Sequence, residues 1–126
     1  MMVADTDVLI DFLQGAEPAA RRIGLELEHQ GLATTVITRF ELLAGARSDR
    51  QRRLIGELLS ALPCLPLDEA AADRAALVRQ TLVGDGVDIG MGDSLIAGIV
   101  LVHHGILLTR NRRHFERVAE LSLGTI

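Results

Sequence analysis

The strand-like runs of this chain are short and apolar along their whole length, and nearly every one is followed by a segment long enough for a helix. Met2 to Ala4, Leu32 to Val36, Cys64 to Leu67 and Ile106 to Thr109 carry no sustained apolar–polar alternation, as expected of strands covered on both faces. Between them lie helical stretches with clear punctuation. Asp7–Gln14 stops at Gly15. Glu17–Gln30 has Pro18 in its first turn and Gly31 beyond its end. Thr38–Ala46 and Arg50–Leu62 follow, the latter ended by Pro63. Asp68 caps an Ala-rich helix reaching about Val83, and Gly84-Asp85-Gly86 forms a loop. Asp93–His104 closes at Gly105, Asn111–Ala119 is a last helix, and Leu121–Leu123 is a candidate edge strand. Strands alternating with helices imply a three-layer α/β/α domain with a central four- to five-stranded parallel sheet. In such a sheet the ligand site belongs at the carboxyl ends of the strands.

The 126 residues are expected to form a single domain, 1–126, with a sizeable core. With three Phe and no Trp or Tyr, that core must be built from Leu, Ile, Val and Ala. The single cysteine, Cys64, rules out an internal disulfide and is expected as a small buried residue. No basic leader precedes the first strand, and the apolar stretch Ser94–Leu108 is too short to span a bilayer. A cytoplasmic protein is the expectation.

Three acids interrupt this apolar pattern where strand or turn gives way to helix: Asp5 in VADTDVLIDFL, Glu41 in TTVITRFELLAGA and Asp93 in IGMGDSLIAGIV. Each has a structural alternative. Asp5 and Asp93 could be helix N-caps, and Thr38-x-x-Glu41 fits a capping box. Together, at one edge of the sheet, they would form an oxygen-rich pocket suited to a hard divalent cation, which can activate water for phosphodiester cleavage. All 13 basic residues are Arg, so chemistry requiring lysine is excluded. That argues against a phosphatase of the haloacid-dehalogenase kind, despite the Asp5-x-Asp7 start. The net charge of −4 argues against a general polyanion binder. Local Arg clusters remain at Arg21-Arg22, Arg47 to Arg53 and Arg110-Arg112-Arg113. The last adjoins the candidate active-site turn and could contact a nucleic-acid backbone. Asp7, one turn into the first helix, is either a partner of Asp5 or an acid favoured by the helix dipole. His103 and His104 read as helix-terminal cations.

These segments, in this order, resemble the PIN-domain ribonucleases, specifically the VapC-type toxins of bacterial toxin–antitoxin pairs. VADTDVLIDFL resembles the family's opening and TRFELLAGA its central element. IGMGDSLIAGIVLVHHGILLTRNRRHFERV resembles its carboxyl-terminal half. The resemblance implies a Mg²⁺- or Mn²⁺-dependent endoribonuclease in which Asp5, Glu41 and Asp93 hold metal and Thr6 and Thr109 position ligands or phosphate. A fourth acid of the family is replaced here: Asn111 and His114 occupy the two positions where it is expected. Asn111 would complete the site directly or through water, with His114 in support. The resemblance further implies an RNA substrate, a VapB-type antitoxin and a homodimer. The outer faces of Asp7–Gln14 and Arg50–Leu62, with Ile55 and Leu58, are the expected docking surface. The alternative is a PIN-like interaction module whose acids serve only as caps.

Overall fold

A computed structural model describes residues 1–126. Five parallel strands form the sheet: β1 (Met2–Ala4), β2 (Leu32–Thr35), β3 (Cys64–Leu65), β4 (Ile106–Leu108) and β5 (Ser122–Leu123), in the order β3-β2-β1-β4-β5. Val3 lies opposite both Ala33 and Leu107, so β1 is central and hydrogen-bonded on both sides. The chain builds outward from β1 to β3, then crosses back to lay β4 on the other side of β1. This reversal opens a crevice beyond the carboxyl ends of β1 and β4, where open parallel sheets place their ligands.

Seven helices complete the order: α1 (Thr6–Gln14), α2 (Ala19–Glu28), α3 (Val36–Gly45), α4 (Asp49–Ser60), α5 (Glu69–Gly84), α6 (Met91–Val102) and α7 (Arg112–Phe115). Side chains alternate across a strand, and the two apolar cores record it. Ala4 and Leu108 pack with Val8, Leu9, Ile23 and Leu59 on one face, against α1, α2 and α4. Val3 and Leu107 pack with Val78, Ile96, Val100 and Phe115 on the other, against α5, α6 and α7. Each fully buried Leu or Ile contributes about 1.5–3 kcal/mol, enough for short strands to hold without aromatics. Helices α5 and α6 approach closely at Gly98 of α6: a methyl group there would lie 2.6 Å from both the Ala71 carbonyl oxygen and Ala75 Cβ of α5.

Several boundaries differ from the sequence expectation, each for a local reason. β3 ends at Leu65 instead of Leu67, because Pro66 has no N–H for the ladder. Helix α3 begins at Val36, capped by the Thr35 hydroxyl, which accepts from the Thr38 amide. The alternative role for Glu41, in a Thr38–Glu41 capping box, is therefore absent, and Glu41 stands in mid-helix. Helix α6 begins at Met91 behind Gly90, whose φ of 86° suits glycine, so Asp93 lies in the first turn and is not the cap. The last helix covers only Arg112–Phe115, then tightens into the turns Arg117 N→His114 O and Val118 N→Phe115 O that feed β5. Cys64 is half-buried, where a buried residue was expected.

Ile55 and Leu58 do not face outward as expected of the docking surface: both are 7% exposed and belong to the core beneath α4, although Ile55 also lines the groove between α1, α3 and α4. The outward apolar residues of this region are Ile10, Leu43 and Leu54. No helix is long and apolar enough to cross a membrane.

Candidate functional site

Asp5 follows the last residue of β1. Its amide donates to the Leu108 carbonyl, extending the β1–β4 ladder by one bond and fixing the carboxylate at the mouth of the crevice. One carboxylate oxygen accepts from the Thr6 amide at 2.8 Å and the other from the Thr109 hydroxyl at 2.7 Å. Asp5 is 5% exposed and forms no salt bridge. Burial pushes its carboxyl up to about 7, against the Thr109 hydrogen bond and with help from the charges of Asp7 and Asp93. A buried carboxylate in this state is short of positive charge.

Thr6 and Thr109 connect the remaining acids to Asp5. The Thr6 hydroxyl donates to Glu41 Oε1 at 2.6 Å and lies 3.1 Å from the buried Thr38 hydroxyl. The other Glu41 oxygen faces Gly92, where a methyl group would lie 3.7 Å from it, so this exposed carboxylate reaches the turn that carries Asp93. Thr109 also accepts the Asn111 amide at 2.9 Å. The Asn111 side-chain amide in turn donates to Asp93 Oδ2 at 3.0 Å. His114 Nδ1 lies 2.9 Å from that same oxygen and 2.9 Å from Asn111 Nδ2. Asp93 itself sits in the first turn of α6, where the helix dipole favours an anion.

Asp5, Thr6, Glu41, Asp93, Thr109, Asn111 and His114 thus form one connected group at the end of the sheet. The acids do not close into a ready-made ligand cage: no three His, Cys, Asp or Glu side chains converge closely enough to hold an ion. Each carboxylate is instead held by a hydroxyl or amide donor, which keeps like charges apart. The donor chemistry still fits a hard divalent cation, because the oxygens are carboxylate oxygens and the most buried of them lacks a compensating charge.

Asp7 is more deeply involved than its position in the first turn of α1 suggested. Oδ2 accepts the Arg110 amide at 3.0 Å and lies 3.5 Å from the Thr109 hydroxyl, while Oδ1 is buried without a partner. Burial raises its carboxyl, opposed by the Arg110 amide and guanidinium. One turn on, Asp11 pairs with Arg110 at 2.6 Å. The only sequence signal was the Asp5-x-Asp7 spacing; the contact with the 109–110 turn spans about a hundred residues. Among the arginines, Arg112 donates to the Gly124 carbonyl and pairs with Glu116. Arg113 is exposed, with no hydrogen bond or ion pair. His103 bonds the Ile99 carbonyl at the far end of α6 and Asp88 caps the Gly90 amide, so neither approaches the acids.

Beside Glu41, the helices α1, α3 and α4 enclose a groove of about 510 Å³. Ile10, Leu13 and Leu54 supply its apolar wall, and Arg47 and Arg50 also line it.

The family model of the PIN domain matches residues 2–121. This chain belongs to the PIN-domain family. Among relatives, this PIN domain is 31% identical to the tRNA(fMet)-specific endonuclease VapC of Shigella flexneri, covering 93% of this chain and 91% of that one. It is 32% identical to Ribonuclease VapC10 of Mycobacterium tuberculosis, covering 96% and 90%. Its backbone superposes on a chain of the DNA-bound VapBC structure from Salmonella typhimurium with a TM-score of 0.86 at 26% identity, covering 98% and 96%. A chain of the promoter-bound VapBC2 structure from Rickettsia felis shares the fold, at TM-score 0.84 and 21% identity. The five-stranded parallel sheet flanked by helices is the PIN architecture.

Proposed function

We propose that this PIN domain is a metal-dependent endoribonuclease, the toxin of a type II toxin–antitoxin pair, and that residues 1–126 act as one domain in the cytoplasm. The observation that carries the reading is Asp5: buried, unpaired with any cation, and linked through Thr6 and Thr109 to Glu41 and the Asp93–Asn111 pair. Names of the relatives over nearly their whole length support the same activity. Asp5, Glu41 and Asp93 would hold Mg²⁺ or Mn²⁺, with Asn111 completing the site. When bound, such an ion lowers the pKa of a water and offsets charge building on the phosphate.

The chain's own groups do the positioning. Thr109 orients Asp5 and the Asn111 backbone together, and Thr6 fixes Glu41 against the α6 turn. His114 steadies Asp93. Arg113 is free to meet an RNA phosphate, as is Arg110 on leaving Asp11, while Arg112 serves mainly to hold the Gly124 carbonyl. With three phenylalanines and no other aromatic, RNA is recognised by shape and backbone contacts more than by base stacking. The α1–α3–α4 groove accepts an antitoxin segment of the VapB type, and the functional unit is a homodimer.

The test is cleavage of total RNA by antitoxin-free protein with Mg²⁺ or Mn²⁺, comparing wild type with Asp93→Asn at matched thermal stability. Metal-dependent cleavage that is lost in folded Asp93→Asn is the expected result. No cleavage by wild type under any divalent cation would favour an interaction module instead.

A further inference from the structure

Asp93 Oδ2, Asn111 Nδ2 and His114 Nδ1 form a nearly equilateral triangle with sides of 3.0, 2.9 and 2.9 Å. Asp93 Oδ2 can accept from both Asn111 and His114, so the three side chains already converge on one small patch. A cation placed over the triangle would meet all three of them.

The dimensions match such an ion. Ligands about 2.1 Å from an octahedral cation stand about 3.0 Å apart along an octahedron's edge. A half-turn of Asn111 about its Cβ–Cγ bond brings its carbonyl oxygen to the triangle. One carboxylate oxygen, one amide oxygen and one imidazole nitrogen then present a complete octahedral face. His114 is the one imidazole near the acids; His103 and His104 lie at the far end of α6, and His29 ends α2.

Resting on the metal-dependent reading above, we propose that Asp93, Asn111 and His114 form a nitrogen-bearing face of the cation site that selects transition-metal ions such as Mn²⁺ over Mg²⁺. Imidazole suits ions of the transition series, whereas Mg²⁺ takes oxygen and keeps its waters. With Asn111 and His114 where acids are expected, the site also has less negative charge with which to strip those waters from Mg²⁺.

The test is direct metal binding to the intact chain, with folding of each variant checked by circular dichroism. Pulsed electron paramagnetic resonance of bound Mn²⁺ should show strong ¹⁴N modulation in wild type and none in His114→Ala. Calorimetry should show Mn²⁺ affinity falling about tenfold or more in His114→Ala while Mg²⁺ affinity changes little. Asn111→Asp should shift the preference back toward Mg²⁺. Mn²⁺ bound without ¹⁴N modulation, or equal losses for both ions in His114→Ala, overturns the proposal and leaves the nuclease reading standing. Failure of wild type to bind either ion overturns both.

Discussion

The hydroxyl of Thr109 donates to Asp5 at 2.7 Å across the seam between β4 and β1, joining residues 104 positions apart in the chain. The same oxygen accepts the Asn111 amide. One buried side chain therefore ties the first acid of the site to the turn that reaches the third.

Thr109→Val keeps the shape and removes both bonds. Stability should fall by about 1–3 kcal/mol, the cost of leaving a buried partner unsatisfied. Thr109→Ser should recover most of it. Denaturant unfolding of the three proteins, read beside RNA cleavage, checks this. Equal stability of wild type and Thr109→Val would show that the hydroxyl has no such role.

Asp5 gives the metal-free protein an unusual pH dependence. Its carboxyl is raised from an unfolded value of 3.8 to about 7. Between these values the native state retains a proton that the unfolded chain has released, so stability declines as pH rises through this window. The contribution is fully present below about pH 4, is lost by about pH 7, and amounts to at most about 4 kcal/mol. Asp5→Asn should flatten this decline and be the more stable protein at pH 7.5 in chelator. Unfolding curves at pH 4.5, 6 and 7.5 read the difference directly.

Ile55 and Ile10 both line the α1–α3–α4 groove, but only Ile55 is also part of the core. Ile55 is 7% exposed and Ile10 is 39% exposed. Ile55→Asp buries an unpaired charge and should abolish cooperative unfolding at moderate temperature. Ile10→Asp should alter stability by no more than about 0.5 kcal/mol while weakening capture of an antitoxin segment. Melting curves and a pull-down with co-expressed antitoxin distinguish the two.

Gly98→Ala places a methyl group 2.6 Å from the Ala71 carbonyl oxygen and Ala75 Cβ. Overpacking of this kind costs about 1–3 kcal/mol. Because α6 carries Asp93, cleavage per folded molecule should fall as well. A shift in the thermal midpoint with undiminished specific activity would show that α6 yields without moving its first turn.

Much of the architecture was legible because short apolar strands punctuated by Gly and Pro leave few other folds. The alternation of helix and strand gave the parallel sheet, and Asp5, directly after β1, was placed by that alone. A capping box at Thr38 stands open in the sequence as an alternative role for Glu41, because local pattern cannot rank Thr38 against Thr35, three residues earlier, as the cap. Ile55 and Leu58 looked outward because an amphipathic helix shows which residues share a face, not which face meets the sheet. The role of Asp7 is hidden for a different reason: its partners lie in the 109–110 turn, and nothing near Asp7 in sequence announces them.

The strand order has a consequence for how the protein is made. β1 emerges before the other strands of the sheet, yet its neighbour β4 and the Thr109–Asn111 turn follow it by about a hundred residues. A nascent polypeptide still lacking that stretch holds Asp5 and Glu41 but neither the seam nor the turn that braces Asp93. A growing chain on the ribosome is thus without an assembled site until residues 106–111 have emerged, about a hundred residues after Asp5.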